Sequence, residues 1–396
     1  MIEILILSLI QGITEFLPIS SSSHLILSSE YLNFKNQNLS IDVSLHIGSF
    51  IAVIFYFYKD LIKFFENKFL FFKIFISSIP VITAGYILVN LGVMEKIRNL
   101  EVIAWTTFLF GLLLFISDQF KIDKNIKKDL ASNWFKILQD AFCEDINKLE
   151  KNKAEFKTTV WKRNPKKDEG GGEYRVFQNG KVFEKVGVNF SKVYGKFPKK
   201  FQKNILGANK DPSFWASGIS VVMHMKNPHI PAIHFNARYI CTTQNWFGGG
   251  IDITPSLKDN NEKKQFHKTL KKMCDRHNKK YYKKYKKWCD EYFYLPHRNE
   301  TRGIGGIFFD YKKDNFEKDF KFVRDVGVTF QMIFNSIIEN KVKKKWTLKD
   351  KEMQYIKRGR YAEFNLLYDR GTKFGLQTGG NVEGILMSLP PVAKWK

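Results

Sequence analysis

Hydrophobic and polar residues are distributed very differently in the two parts of the chain. Before residue 120, the apolar residues form four long stretches, at about 2–29, 42–58, 70–93 and 101–117. The last three have the length that a helix needs to cross a lipid bilayer. The first is interrupted by Glu15, Pro18 and a run of serines, so it could form two half-helices that meet at a polar point. This pattern predicts an all-α transmembrane segment of three to four helices over residues 1–120.

After residue 121 the pattern is that of a water-soluble domain. Apolar residues at helical spacing predict an amphipathic helix from Leu130, after a basic linker over 121–129. The turn signal Asn179-Gly180 predicts a hairpin. The hairpin spans Tyr174–Gly187, the other predicted strands are Gly218–Met225, Ile233–Cys241, 304–310 and 360–368, and two predicted helices are 262–292 and 316–340. We therefore expect an α+β domain over 130–396, with a largely antiparallel sheet flanked by helices.

Charge separates the same two parts. Residues 1–120 carry 7 Lys and Arg against 9 Asp and Glu, whereas residues 121–396 carry 57 against 30. Such a surplus suits a polyanionic partner, and it equally suits a lysine-rich solvated surface. Lysines also cluster beside the apolar stretches: Lys59, Lys63, Lys68, Lys73, Lys121, Lys124, Lys127 and Lys128. By the positive-inside rule these loops face the cytoplasm, so residues 121–396 are predicted to lie there, attached to the inner membrane.

Two predicted strands each carry a polar face. Side chains alternate along a strand, so Ser220 shares a face with His224 on one strand, and His234, Asn236 and Arg238 share a face on the next. This face could be the solvated outside of a sheet, or a pocket for a carboxylate that uses the arginine.

A glycine-rich segment follows these strands, and Gly248, Gly249 and Gly250 precede Asp252. Three glycines let backbone approach a flat ligand closely, although such segments are also common in loops. The dinucleotide and phosphate-loop motifs are absent. Four histidines could gather around a divalent metal ion, but they lack a recognised metal-binding spacing: His224, His234, His267 and His297.

The motif around the first polar interruption resembles the first signature of the undecaprenyl-diphosphate phosphatase family. The segment runs from Gln11 to His24, and Leu45–Val53 also fits the family. The resemblance implies that Glu15, Ser21 and His24 serve pyrophosphate hydrolysis at the membrane. However, Gln11 stands where many members have glutamate, and the family's later Pro-Gly-x-Ser-Arg-Ser signature is absent. A truncated remnant that acts as an anchor, an inactive fusion and a membrane phosphatase remain alternatives.

The rest of the chain resembles the oxygen-dependent coproporphyrinogen III oxidase family over about 130–396. The matching runs are Gly170–Gly172, Phe183–Phe190, His224–Arg238, Trp246–Pro255, Lys286–Glu300, Arg302–Gly306 and Arg358–Gly380. The family implies oxidative decarboxylation of two propionates of coproporphyrinogen III to vinyl groups, in haem biosynthesis. Dioxygen is the electron acceptor, the products are protoporphyrinogen IX, carbon dioxide and hydrogen peroxide, and no organic cofactor is expected. It also implies a homodimer with contacts around 359–395.

The resemblance assigns roles residue by residue. It implies that His234 is a proton donor and that Asp252 holds the pyrrole N–H groups. The residues expected to contact substrate are Ser220, Asn236, Ala237, Arg238, Gly379, Gly380 and Asn381. The four histidines match metal-binding positions of bacterial members.

This sequence departs from the oxidase family at two points. Asn381 replaces a common arginine, and the chain stops at Lys396 where relatives often continue with a helical tail.

A membrane-tethered nucleic-acid binder is the third class of function, because Lys279–Trp288 interleaves lysines with aromatic residues. That stretch adjoins the oxidase motif, so no nucleic-acid partner is expected.

Overall fold

The computed structural model describes residues 2–17, 20–35, 38–66, 68–93, 99–119, 122–377 and 380–395. Contacts divide the chain into two compact units, Met1–Lys121 and Ile122–Lys396, which we call the front unit and the back unit.

The front unit is helical. Its helices are α1 (Ile2–Thr14), α2 (Ser21–Tyr31), α3 (Leu39–Glu66), α4 (Lys68–Asn90) and α5 (Leu100–Gln119). The first apolar stretch is thus two helices, as the sequence predicted, although Pro18 lies outside the described residues. Two segments are long and apolar enough to cross a membrane, Leu39–Tyr58 and Phe71–Asn90, and Leu100–Ile116 is a shorter apolar helix. Their large apolar side chains are mostly exposed, which indicates a surface that lipid covers.

The back unit is built on an antiparallel sheet of seven strands, in the order β1-β2-β3-β4-β5-β6-β9. These strands are β1 (Lys157–Lys162), β2 (Gly170–Gln178), β3 (Phe183–Lys196), β4 (Ser213–Met225), β5 (Ala232–Cys241), β6 (Asn245–Thr254) and β9 (Gly306–Lys312). A separate ribbon pairs β7 (Tyr294–Leu295) with β8 (Glu300–Thr301). The α+β prediction is therefore confirmed.

Helices surround this sheet. They are α6 (Lys124–Leu149), α7 (Lys199–Gln202), α8 (Asn260–His277), α9 (Tyr281–Tyr292), α10 (Phe316–Lys341), α11 (Leu348–Leu367), α12 (Arg370–Gln377) and α13 (Val382–Leu386), with a 3₁₀ turn at Pro296–Arg298. The segment predicted as a linker is helical from Lys124, because the Asp123 side chain caps that helix by accepting from the Asn125 N–H.

The hairpin predicted at Asn179-Gly180 is present, and a distant carboxylate fixes it. Asn179 has a positive φ of 62°. Glu150, just after α6, accepts hydrogen bonds at 2.8 Å from the backbone N–H groups of Lys181, Val182 and Phe183. These bonds satisfy donors that the wide turn between β2 and β3 leaves unpaired.

Three sequence-based assignments were wrong. The segment 360–368, predicted as a strand, belongs to α11, because a capping box of Thr347 and Asp350 starts a helix far upstream. The helix predicted over 262–292 is interrupted at Asn278, whose backbone is extended. The glycine-rich segment, which resembled a loop, is the buried strand β6.

The two faces of the sheet differ in chemistry. On one face β5 packs against α6 and α10, where the ring of Phe235 lies 4.9 Å from that of Phe330 and 5.7 Å from that of Phe142. Each such buried ring stabilises the fold by roughly 1.5–3 kcal/mol. The opposite face carries the polar side chains, and the C-terminal segment covers its β3 end, where Met387 contacts Gly187.

Candidate active site

Strand β5 presents the predicted polar face. Along it Ile233, Phe235 and Ala237 are buried in the hydrophobic core, whereas His234 and Asn236 are half-buried on the opposite side. The alternation expected from the sequence is therefore present. The side chain of Ala237 points into the core, so a contact of this residue with substrate would have to use its backbone, and that contact remains a prediction.

Strand pairing brings most of the predicted residues into one patch. Ser220 on β4 pairs with Asn236 on β5, which pairs with Gly250 on β6. Two pairs further along, His234 faces Asp252. Because directly paired residues place their side chains on the same face, the patch combines a hydroxyl, an amide, an imidazole and a carboxylate.

A chain of charged contacts starts at His234. Its Nδ1 lies 2.6 Å from Oδ1 of Asp252, and Oδ2 of Asp252 accepts a hydrogen bond from Nη2 of Arg302. Burial alone would raise the pKa of the Asp252 carboxyl, but the charges of Arg302 and His234 outweigh it, so the pKa lies below its ordinary value. Asp252 is therefore an anion that accepts a hydrogen bond from Nδ1–H of His234, which leaves Nε2 of the ring to other partners. That atom lies 3.3 Å from the amide nitrogen of Asn236.

Arg238 is held by a residue that the sequence did not reveal. Its Nη2 donates to Oδ2 of Asp310 on β9 at 2.6 Å, and Nη1 lies 3.4 Å from Oδ1 of Asn236. A side chain at Gly248 would collide with both partners, since its Cβ would lie 2.5 Å from Oδ1 of Asp310 and 2.9 Å from Nε of Arg238. Gly248 thus makes room for the ion pair, and one third of the Arg238 side chain stays open to a ligand.

The front unit has its own cluster. Glu15 accepts a hydrogen bond from the Ser21 hydroxyl at 2.8 Å and from the Gln11 amide at 2.8 Å. The nearest imidazole is that of His46, whose Nδ1 lies 3.3 Å from Glu15. His24 instead bonds through Nδ1 to the carbonyl of Ser20. The structure therefore brings Glu15 and Ser21 together with His46, which lies in the stretch Leu45–Val53.

Comparison with known proteins identifies the back unit. The family model for coproporphyrinogen III oxidase matches residues 131–396. The chain belongs to the coproporphyrinogen III oxidase family. Relatives named "Oxygen-dependent coproporphyrinogen-III oxidase" from Rickettsia typhi and Rickettsia prowazekii are each 52% identical over 277 residues, which is 68% of this chain and 98% of each relative. The protein of the same name from Rickettsia akari is 51% identical with the same coverage.

A second family model matches the front unit. It is that of the bacitracin resistance protein BacA, over residues 4–139. Together with the apolar helices, this match indicates that the front unit associates with a membrane. The two matches overlap at residues 131–139, inside α6.

The four histidines proposed as metal ligands in the oxidase family contact different partners. Nε2 of His224 donates to the carbonyl of Ser388, and burial lowers the pKa of this histidine to about 3. His267 bonds to the carbonyl of Ile304, and His297 to Tyr368 and Glu363. In the part of the chain that the structure describes, no three metal-binding side chains are grouped closely enough to hold an ion. The described residues therefore do not fit a four-histidine metal centre.

The segment expected to close on the substrate is only partly described. Gly379 lies outside the described residues, and the N–H of Gly380 donates to the carbonyl of Gly375. The side chain of Asn381 accepts from the Gly384 N–H at 2.8 Å and so caps α13. In this arrangement Asn381 stabilises a helix start, and its role towards substrate remains a prediction.

One further polar residue belongs to the patch. Asn189 on β3 pairs with Ser220, which extends the row of Asn236 and Ser220 by one strand. Among the described residues, its Oδ1 is buried without a hydrogen-bond partner. Asn189 lies in the run Phe183–Phe190, which carries part of the family resemblance, but no motif singled it out.

Proposed function

We propose that this chain catalyses the oxygen-dependent conversion of coproporphyrinogen III to protoporphyrinogen IX. The relatives that share half of their residues with the back unit carry that activity in their names. The observation that carries the proposal is the contact of His234 with a buried Asp252, on the same face as Arg238. This arrangement combines a proton-transfer group with a partly open guanidinium, and the reaction needs both.

The chemistry sets what the site must supply. Each propionate carboxylate becomes a vinyl group by losing carbon dioxide, two electrons and one proton. One dioxygen takes up the two electrons together with that proton and a second proton from water, which gives hydrogen peroxide. Two such steps consume two dioxygen molecules. The electron-rich porphyrinogen can pass electrons to dioxygen directly, so the protein's task is to bind, orient and move protons.

The residues of the polar patch suit these tasks. Arg238 binds a propionate carboxylate with the part of its guanidinium that Asp310 leaves free. Ser220 and Asn236 orient the substrate beside it. Nε2 of His234 takes up or releases the proton, while Asp252 stabilises the protonated ring.

The tetracarboxylate substrate also accounts for part of the positive charge of residues 121–396, since a basic surface attracts such an anion. We further propose that the oxidase acts as a homodimer on the cytoplasmic side of the inner membrane. The front unit serves as its anchor. The BacA match and the exposed apolar helices support the anchor.

A membrane phosphatase is the second candidate, and the cluster of Glu15, Ser21 and His46 favours it. The Pro-Gly-x-Ser-Arg-Ser signature of the phosphatase family is absent from the sequence, and this counts against phosphatase activity. The two candidates predict different products, so hydrolysis of an isoprenyl diphosphate in the same preparation distinguishes them.

The test is a conversion assay with the full chain in detergent. Coproporphyrinogen III is supplied anaerobically, air is then admitted, and products are analysed by mass. We expect the loss of two carboxyl groups only after air is admitted. A folded, pure protein that leaves the substrate intact in air would contradict the proposal.

A further inference from the structure

Arg302 is the most completely enclosed charge next to the polar patch. It is buried, and it lies in the segment of chain that connects β8 to β9. Its guanidinium carbon lies 4.0 Å from the ring centre of Phe293, 4.4 Å from that of Tyr361 and 4.9 Å from that of Phe364. Three aromatic rings thus fix the plane of the guanidinium, since cations are attracted to ring faces.

Hydrogen bonds fix the direction of the same group. Nη2 of Arg302 pairs with Oδ2 of Asp252, and Nη1 donates to Oδ1 of Asn365 at 3.1 Å. The amide of Asn365 is in turn 3.3 Å from the Ser388 hydroxyl. Arg302 therefore has one orientation, in which it presents a nitrogen to Asp252.

Both oxygens of Asp252 are already hydrogen-bonded to the protein in this arrangement. Oδ1 accepts from His234 and Oδ2 accepts from Arg302, and only 4% of the side chain is exposed. His234 is more open, at 15%. A substrate on the polar patch would therefore reach the imidazole before it reached the carboxylate.

We propose that Arg302 is a positioning residue, which holds Asp252 against Nδ1 of His234 so that Asp252 acts on substrate through the imidazole. The inference rests on the proposed oxidase function and departs from the role that the resemblance implied for Asp252. Because Asp252 keeps the proton on Nδ1, Nε2 is the atom that exchanges protons with substrate. When Nε2 is protonated, the carboxylate stabilises the imidazolium.

Several titratable groups interact with Asp252 or with its partner Arg302. They are His234 on β5, Arg302 before β9, Cys289 on α9, Tyr361 on α11 and Asp369 after α11. Burial raises the pKa of the Tyr361 hydroxyl to about 12 and that of the Cys289 thiol well above its ordinary value. Both therefore stay neutral near pH 7, and Arg302 is the cation that keeps Asp252 ionised.

The first experiment compares Arg302→Gln and Arg302→Lys with the unaltered full chain in detergent. We expect Arg302→Gln to lower kcat about 100-fold or more with KM changed less than threefold, because substrate does not touch Arg302. The acidic limb of the pH profile should move to higher pH, since Asp252 then protonates more easily. Arg302→Lys keeps the charge and should retain the wild-type limb with a smaller loss of kcat.

The matched control is Lys312→Gln. Lys312 forms an equally buried ion pair with Asp319 at 2.7 Å, and it packs against α9 and α10 on the core side of the sheet. We expect this variant to lose stability but to keep the pH profile. If its acidic limb moved as far as that of Arg302→Gln, or if Arg302→Gln kept the kcat and the limb of the unaltered chain, the inference would be overturned.

A second measurement keeps Arg302 in place, so it does not depend on whether an Arg302 variant folds. In the full chain labelled with ¹⁵N-histidine, the ring nitrogen shifts of His234, assigned with His234→Gln, report which nitrogen carries the proton. We expect the neutral ring to carry its proton on Nδ1, hydrogen-bonded to Asp252, and the opposite tautomer would overturn the inference. This result is independent of turnover, so a chain that shows the expected tautomer but converts no coproporphyrinogen would contradict only the proposed function.

Discussion

The front and back units each contain a histidine beside a carboxylate, and the two pairs are built differently. In the front unit, Nδ1 of His46 lies 3.3 Å from Glu15, and about one third of each side chain is exposed. In the back unit, Nδ1 of His234 lies 2.6 Å from Asp252, which is almost completely buried. Among the ion pairs of the described residues, Glu15 has only His46 as a partner, whereas Asp252 also has Arg302.

The difference shows which contacts hold a carboxylate in place as a buried anion. Charges interact more strongly in a buried environment, and an unpaired buried charge is costly. Asp252 can be buried as an anion only because Arg302 is buried with it. Glu15 is held by a hydroxyl and an amide, which orient it without neutralising it. The back pair is therefore rigid and strongly coupled, and the front pair is weakly coupled.

The largest expected effect is on stability, when Asp252 is replaced by alanine. This change leaves Arg302 as an uncompensated buried cation, so the free energy of unfolding of the back unit should fall by about 3–5 kcal/mol. Chemical denaturation of the full chain in detergent, followed by tryptophan fluorescence, measures the change. A loss below 1 kcal/mol would mean that Arg302 finds another partner or that the pair is not buried in solution.

The next effect concerns substrate binding by Arg238. Arg238→Ala removes a charge-assisted contact with a propionate, which is worth about 1.5–3 kcal/mol, so kcat/KM should fall roughly 10- to 150-fold, mainly through KM. Arg238→Lys should recover part of the loss. Arg276→Ala serves as the control, because Arg276 pairs with Asp325 on α10 and lies outside the polar patch. Equal losses for Arg238→Ala and Arg276→Ala would contradict the assignment.

A smaller effect is expected from His224, a buried histidine without a carboxylate at hydrogen-bond distance among its described contacts. Arg358, Lys185 and Glu184 are the charged groups that influence it. Its pKa falls from 6.5 in the unfolded chain to about 3 in the folded one, so its contribution to stability is complete above pH 6.5 and is lost as the pH falls towards 3. Between pH 6.5 and 5.5 the free energy of unfolding should drop by about 1 kcal/mol from this group, because the unfolded imidazole is already half protonated at pH 6.5. His224→Gln should remove that part of the pH dependence, and an unchanged slope would contradict the burial of His224.

Much of the candidate site could be predicted from alternation along strands. The period of two placed His234, Asn236 and Arg238 on one face, and it places the side chain of Ala237 on the other. Arg302 and Asp310 could not be found in this way, because their positions depend on the pairing of β6 with β9 and on a loop. The local sequence pattern also predicted the wrong element at 360–368, because the residue that caps the start of this helix lies 13 residues before that segment.

The front cluster illustrates the same limit. The motif placed Glu15 and Ser21 together correctly, but His24 bonds to its own helix start and His46 takes its place. Helix α3 brings His46 to the cluster, and such a contact between distant residues has no local pattern.

The most direct test of the account is one assay with three forms of the full chain in detergent: unaltered, Glu15→Gln and Asp252→Asn. Formation of protoporphyrinogen IX from coproporphyrinogen III is measured after air is admitted. We predict equal rates for the unaltered chain and Glu15→Gln, within about twofold, and a loss of at least about 100-fold for Asp252→Asn, which is the scale of a lost proton-transfer group. Full activity in Asp252→Asn would show that the reaction does not depend on the buried pair of the back unit. Loss of activity in Glu15→Gln would show that the reaction also depends on the front cluster, which the account denies.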